Sequence, residues 1–141
     1  MSLSFEAKFF EKRKFENKTV KKYFDTALRD FKIAKEGRHP EVIFKFSYDS
    51  LIKIGITLIA FHGYRIKSRQ GHHIKILEKV SQILDNKNIE IIGEAMRKKR
   101  NLDLYDGGIL ISEKEAKEYL SFVKTIVNET DKFLKNQSSL F

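Results

Sequence analysis

The chain has 141 residues, a formal net charge of +9, one proline and no cysteine. That length is one domain with enough sequence to bury a core, and the absent cysteines exclude thiol nucleophiles, cysteine-ligated zinc and disulfide staples. The excess of Lys and Arg points to a polyanionic partner, because cations that neutralise phosphates gain affinity by releasing counterions; a lysine-rich surface is the plainer source of the same charge.

Residues 1–18 stand apart, with Phe5, Phe9, Phe10 and Phe15 interleaved with Lys8, Lys12, Arg13 and Lys14. Aromatics among cations can stack on bases, but a short amphipathic segment docked on the rest of the domain is the favoured reading. From Thr19, an expected N-cap, Val20, Tyr23, Phe24, Ala27, Phe31 and Ala34 form one stripe, and Gly37 closes the helix. Pro40 then occupies a first helical position. The stretch Val42 to Tyr64 is apolar on almost every side, through Phe44, Tyr48, Leu51, Ile52, Leu58 and Ile59, so this helix is expected at the centre. Its longest uncharged run, Ile54 to Tyr64, is too short to span a bilayer and is interrupted by His62. Met1 to Lys18 is charged throughout and does not read as a signal peptide, so a cytoplasmic protein without a membrane partner is expected.

Ser68 to Gly71 reads as a loop, after which Ile74, Leu77, Val80, Ile83 and Leu84 form a third stripe ended by the turn-rich Asp85 to Asn88. Ile89, Ile92 and Met96 lead a fourth helix into a basic cluster. Ser112 and Glu115 are spaced as a capping box for the last helix, whose stripe is Ala116, Tyr119, Leu120, Val123, Val127 and Leu134. Apolar alternation bounded by turns is missing, which argues against strands. The expected fold is all-α: an antiparallel up-and-down bundle of four to five helices over residues 19–135, with a frayed tail at 136–141.

Chemistry concentrates in Arg97-Lys98-Lys99-Arg100-Asn101-Leu102-Asp103-Leu104-Tyr105-Asp106-Gly107-Gly108. The glycine pair ends the helix, and helical spacing brings Arg97, Arg100 and Asn101 onto one face suited to a phosphate. The plain alternative is a solvated basic turn that complements the helix dipole. Arg97, Lys98, Lys99 and Arg100 are the candidate phosphate and RNA contacts. Glu94 and Lys98 are spaced for an ordinary surface pair, and Asp103 and Asp106 balance the cluster more readily than they form an acid and base pair. Metal binding is not expected: His72 and His73 are adjacent, without a partner at the spacing of helical zinc sites. His62 is expected to be a hydrogen-bonded core or interface residue, and His39 to sit in the turn before Pro40. Glycine-rich phosphate loops and serine-nucleophile elbows are missing from the sequence.

Arg100-Asn101, three further residues and Tyr105, late in a bundle and followed by a capped last helix, resemble the HEPN domains, the higher eukaryote and prokaryote nucleotide-binding family. Ala27-Leu28-Arg29-Asp30-Phe31 with Ala34 is similar to that family's opening pattern of alanine, arginine, aspartate, apolar residue and alanine. The resemblance runs from about Thr19 to Leu134. It implies a helical bundle that dimerises with two motif copies facing each other, and RNase activity that needs neither metal nor cofactor. Several members are toxins encoded beside a small nucleotidyltransferase antitoxin. By this match Arg100 corresponds to the motif arginine, Asn101 to its polar residue and Tyr105 to the catalytic histidine. A phenol, with an ordinary pKa of about 10, is a poor general base at neutral pH. The tyrosine that antitoxins modify, two residues after the histidine, is Gly107 here, so that regulation does not carry over.

Two functions follow from these residues and the resemblance. In the first, a toxin-type RNase, Arg97 and Arg100 hold the scissile phosphate, Asn101 orients the ribose hydroxyl and Tyr105 positions water or the leaving oxygen. In the second, a non-catalytic module binds RNA, a nucleotide or a nucleotidyltransferase partner through the same surface.

Overall fold

The structure, a computed structural model, describes residues 3–105 and 111–137, without the side chains of 103–105. Asp106, the Gly107-Gly108 stop and the side chains of Asp103 and Tyr105 lie outside what the structure describes.

The protein is an all-α bundle of five described helices, α1 (Asn17–Glu36), α2 (Pro40–Phe61), α3 (His72–Ile83), α4 (Lys87–Tyr105) and α5 (Glu113–Gln137). Helix α1 begins two residues before Thr19. The carbonyl of Glu16 accepts from the Thr19 and Val20 N–H groups, so an extended backbone segment starts this helix rather than a side-chain cap. Gly37 closes it, its N–H donating to the Ala34 carbonyl. Pro40 opens α2 at its first turn, where the missing N–H costs nothing. Ser112 Oγ accepts from the Glu115 N–H at 3.0 Å, but the Glu115 carboxylate reaches Lys99 on α4 instead of closing the capping box.

Thirteen of the twenty-two residues of α2 are buried, which makes it the central helix. Helices α1, α3 and α5 and the chain after α2 cover it within one molecule, so its apolar surface by itself does not call for a second copy. On α1, the buried Asp30 carboxylate pairs with Lys53 of α2 and with its neighbour Arg29, and Ser50 Oγ donates to the Ala27 carbonyl at 2.8 Å. Together these bonds tie the α1–α2 hairpin through polar groups that burial would otherwise leave costly.

Two short strands correct the helices-only expectation. Strand β1 (Phe10–Lys12) pairs antiparallel with β2 (Tyr64–Ile66), Phe10 opposite Ile66 and Lys12 opposite Tyr64. Three residues are too few to show alternation in a sequence, and only Phe10 of β1 is buried. The N-terminal segment is anchored by contacts that periodicity does not encode. Phe5 stacks on Tyr64 with ring centroids 4.2 Å apart. Glu6 pairs with Lys75 at 3.0 Å and with Lys79 at 3.2 Å, and Lys79 is wholly buried between the Phe5 and Phe10 rings. Burying an ammonium this way is tolerable because a carboxylate, the Gln82 amide oxygen and two ring faces replace its water.

The strand detour also sets helix direction. Tyr48 of α2 meets His73 at the start of α3, and Gly55 meets Ile76 and Val80 further along both, so α3 runs in the same direction as α2. The alternation expected of an up-and-down bundle is therefore broken once, because residues 62–71 carry the chain back along the bundle before α3 begins. Among the described residues no helix is long and apolar enough to cross a membrane.

Candidate functional site

Where α3 begins, its first residues, the N-terminal half of α2 and the later half of α4 surround a cleft of about 520 Å³. Arg97, Arg100 and Asn101 form one wall, Tyr48 and Asp49 another, and Arg69, Gly71, His72 and His73 a third. Helical spacing thus does put Arg97, Arg100 and Asn101 on one face, and that face looks into a concavity. Lys98 and Lys99 do not line it. Lys98 is exposed on the outer side of α4, and Lys99 forms an ion pair with Glu115 of α5 at 3.1 Å. The partner of Glu94 is Arg97 rather than Lys98, through two hydrogen bonds of 2.9 and 2.7 Å. One turn of helix suffices for that fork, and a planar guanidinium makes the pair bidentate where a lysine would not.

The pair fixes the Arg97 head group beside the cleft. It holds the Glu94 carboxyl below, and the Arg97 guanidinium above, their ordinary values, chiefly through the shared hydrogen bonds. Burial raises the Asp49 carboxyl, against the opposing pull of Arg100 and Lys45. Burial likewise pushes the Tyr48 phenol well up, so it remains a hydroxyl at any physiological pH. For His73 the same desolvation, helped by His72, Arg97 and Arg100, lowers the imidazole to about 4 and keeps it neutral.

The two histidines are held by partners of different kinds, a carbonyl for His72 and a hydroxyl for His73. His72 Nδ1 lies 2.7 Å from the Arg69 carbonyl, which can only accept, so this nitrogen bears the hydrogen and Nε2 of the neutral ring is left with a lone pair. His73 Nδ1 lies 2.9 Å from the Tyr48 hydroxyl. A protonated phenol donating to that nitrogen satisfies both groups, and it leaves the His73 hydrogen on Nε2. The rings sit edge to face with centroids 4.5 Å apart. Arg69 also reaches the other way, donating to the Lys8 carbonyl at 2.9 Å, which ties the cleft's rim to the N-terminal segment.

No protein-family model, curated protein or solved structure matches this chain.

Motif spacing does not find Tyr48, Arg69, His72 and His73, since they come from α2, from the segment before α3 and from α3 itself, far from Arg100 in the chain. One signal was present. His73, Ile76, Leu77 and Val80 fall on one helical face, so a histidine opens an apolar stripe at the point where burial gives way to a polar concavity. The remaining histidines are placed elsewhere: His62 Nδ1 donates to the Leu58 carbonyl at the end of α2, and His39 precedes Pro40 at its start.

Proposed function

We propose that the protein is a HEPN-type, RNA-directed component of a toxin pair: a metal-independent RNase or RNase-like domain that acts as a homodimer with a nucleotidyltransferase antitoxin. The observation that supports this reading is the shared cleft, where Arg97, Arg100 and Asn101, matched or adjacent to the motif, face Arg69 and two histidines. The Arg97 and Arg100 guanidiniums at a concavity of this size suit a phosphodiester, and Asn101 adds a neutral donor and acceptor for a ribose hydroxyl. The second reading, a binding module without chemistry, draws on Tyr105 in the place of the motif histidine.

The test is binding of a fluorescent, unstructured single-stranded RNA across a salt series. Affinity should fall steeply with salt, and Arg97→Ala with Arg100→Ala should weaken binding at least about tenfold and flatten the salt slope by about one unit per lost phosphate contact. Lys98→Ala, outside the cleft, should change binding far less. Equal binding and slope in the parent and the double variant would reduce the cluster to a solvated helix end. Light scattering at micromolar concentration tests the dimer.

A further inference from the structure

We infer that His72 is the general base of this cleft, taking over at the start of α3 the role for which Tyr105 is unsuited, with Nε2–H of His73 as a neutral donor to the phosphate. This rests on the RNase reading above. Its own support is how the two rings are held: the Arg69 carbonyl, which can only accept, fixes the hydrogen of His72 on Nδ1 and leaves its Nε2 with the lone pair, whereas the Tyr48 hydroxyl engages His73 Nδ1 and leaves Nε2 as that ring's donor when the phenol donates. Both rings line the same cavity as Arg97, Arg100 and Asn101. A general base needs an available lone pair, and a stabiliser of a developing anion needs a donor that keeps its proton. Burial keeps His73 neutral down to about pH 4, so it donates without taking a proton from the reaction.

The step this arrangement performs is transesterification. His72 Nε2 removes the proton of a ribose 2′-hydroxyl, and the 2′-oxygen forms a bond to phosphorus as the bond from phosphorus to the 5′-oxygen breaks. The departing 5′-oxygen takes a proton from solvent in the open cleft, and His72 returns its proton to solvent. The products are a 2′,3′-cyclic phosphate and a 5′-hydroxyl, with no water consumed and no co-reactant. Arg97, Arg100 and His73 line the same cleft, so their N–H groups are the donors available to meet charge on the non-bridging oxygens.

The experiment measures cleavage of the same RNA with a chelator present, under single-turnover conditions, alongside RNA affinity. Wild type should give cyclic-phosphate ends, and His72→Ala should lose at least about a hundredfold in rate with affinity held within about threefold, partly restored by added imidazole. Tyr105→Phe should lose less than His72→Ala. His72→Ala cleaving at the parent rate would overturn the assignment and leave the RNase reading intact. Wild type that binds RNA with the expected arginine dependence but leaves it uncut would overturn the assignment and the RNase reading together, and would favour the binding module. RNA binding that ignores Arg97 and Arg100 would overturn the cleft reading itself.

Discussion

Between Gly55 and Ile76, helices α2 and α3 touch so closely that a Cβ added at Gly55 would stand 2.2 Å from Ile76 Cγ2. Two turns earlier on α2, between Tyr48 and His73, the same pair of helices is joined by one polar contact and opens into the cleft. The apolar end is filled by side chains with nothing left to bind, and the polar end keeps donors, acceptors and cations at a concavity. One interface therefore divides its labour along its length: packing holds the helices, and this rigid contact positions the groups that face a ligand.

If this division is right, the largest loss of stability should come from the sealed end. Ile76 is 1% exposed, and Ile76→Ala should cost about 2–5 kcal/mol by lost burial and a residual cavity. Urea denaturation measures it. A cost below that of Tyr48→Phe would reverse the comparison.

Gly55→Ala should cost less, about 1–3 kcal/mol, although alanine is the better helix former by about 1 kcal/mol. The clash is with a β-branched side chain on a buried helix, so relief requires α3 to shift rather than a flexible chain end to swing away. Such a shift moves His72 and His73 with it. The sharper form of the prediction is that Gly55→Ala also weakens RNA cleavage, whereas the cleft variants leave stability nearly intact. A Gly55→Ala protein as stable as the parent would mean that the two helices are not fixed by this contact.

The helices were legible because their ends are chemically marked: Gly37, Pro40 and Ser112 stop or start helices through local backbone needs that the residue types disclose. The strand pair was not, because its three-residue strands are held by Phe5, Glu6 and Lys79, whose contacts join residues more than fifty positions apart. The same distinction separates the two sides of the cleft. Arg97, Arg100 and Asn101 share a wall by helical spacing alone, which sequence shows. The wall opposite depends on α3 running parallel to α2, and that direction is set by the detour through residues 62–71. Adjacent histidines judged only as metal ligands gave no reason to place them beside Arg100.

The smallest expected effect is an acid sensitivity confined to the cleft end. His73 titrates near 4 in the folded protein and at about 6.5 in an unfolded chain, so between these values the unfolded state binds more protons and stability falls as pH falls. Above about pH 6.5 the group contributes no pH dependence. Because the ring borders an open cleft, solvent screening leaves only about 1 kcal/mol of the effect. Asp49 opposes it at the acid end: its carboxyl is raised by burial, so the folded state takes up that proton first. Glu6 and Glu94 are held low by their lysine and arginine partners, and their loss of stability comes below the ordinary carboxylate range. The window between about pH 6.5 and 5 therefore belongs mainly to His73. Denaturation across that window should show a decline in wild type that His73→Gln removes, since an amide cannot titrate there. Ile76→Ala should lower the whole curve without changing its slope. A slope that survives His73→Gln would place the acid sensitivity elsewhere and would leave His73 exposed enough to protonate in the working range, which would cost it the role of neutral donor.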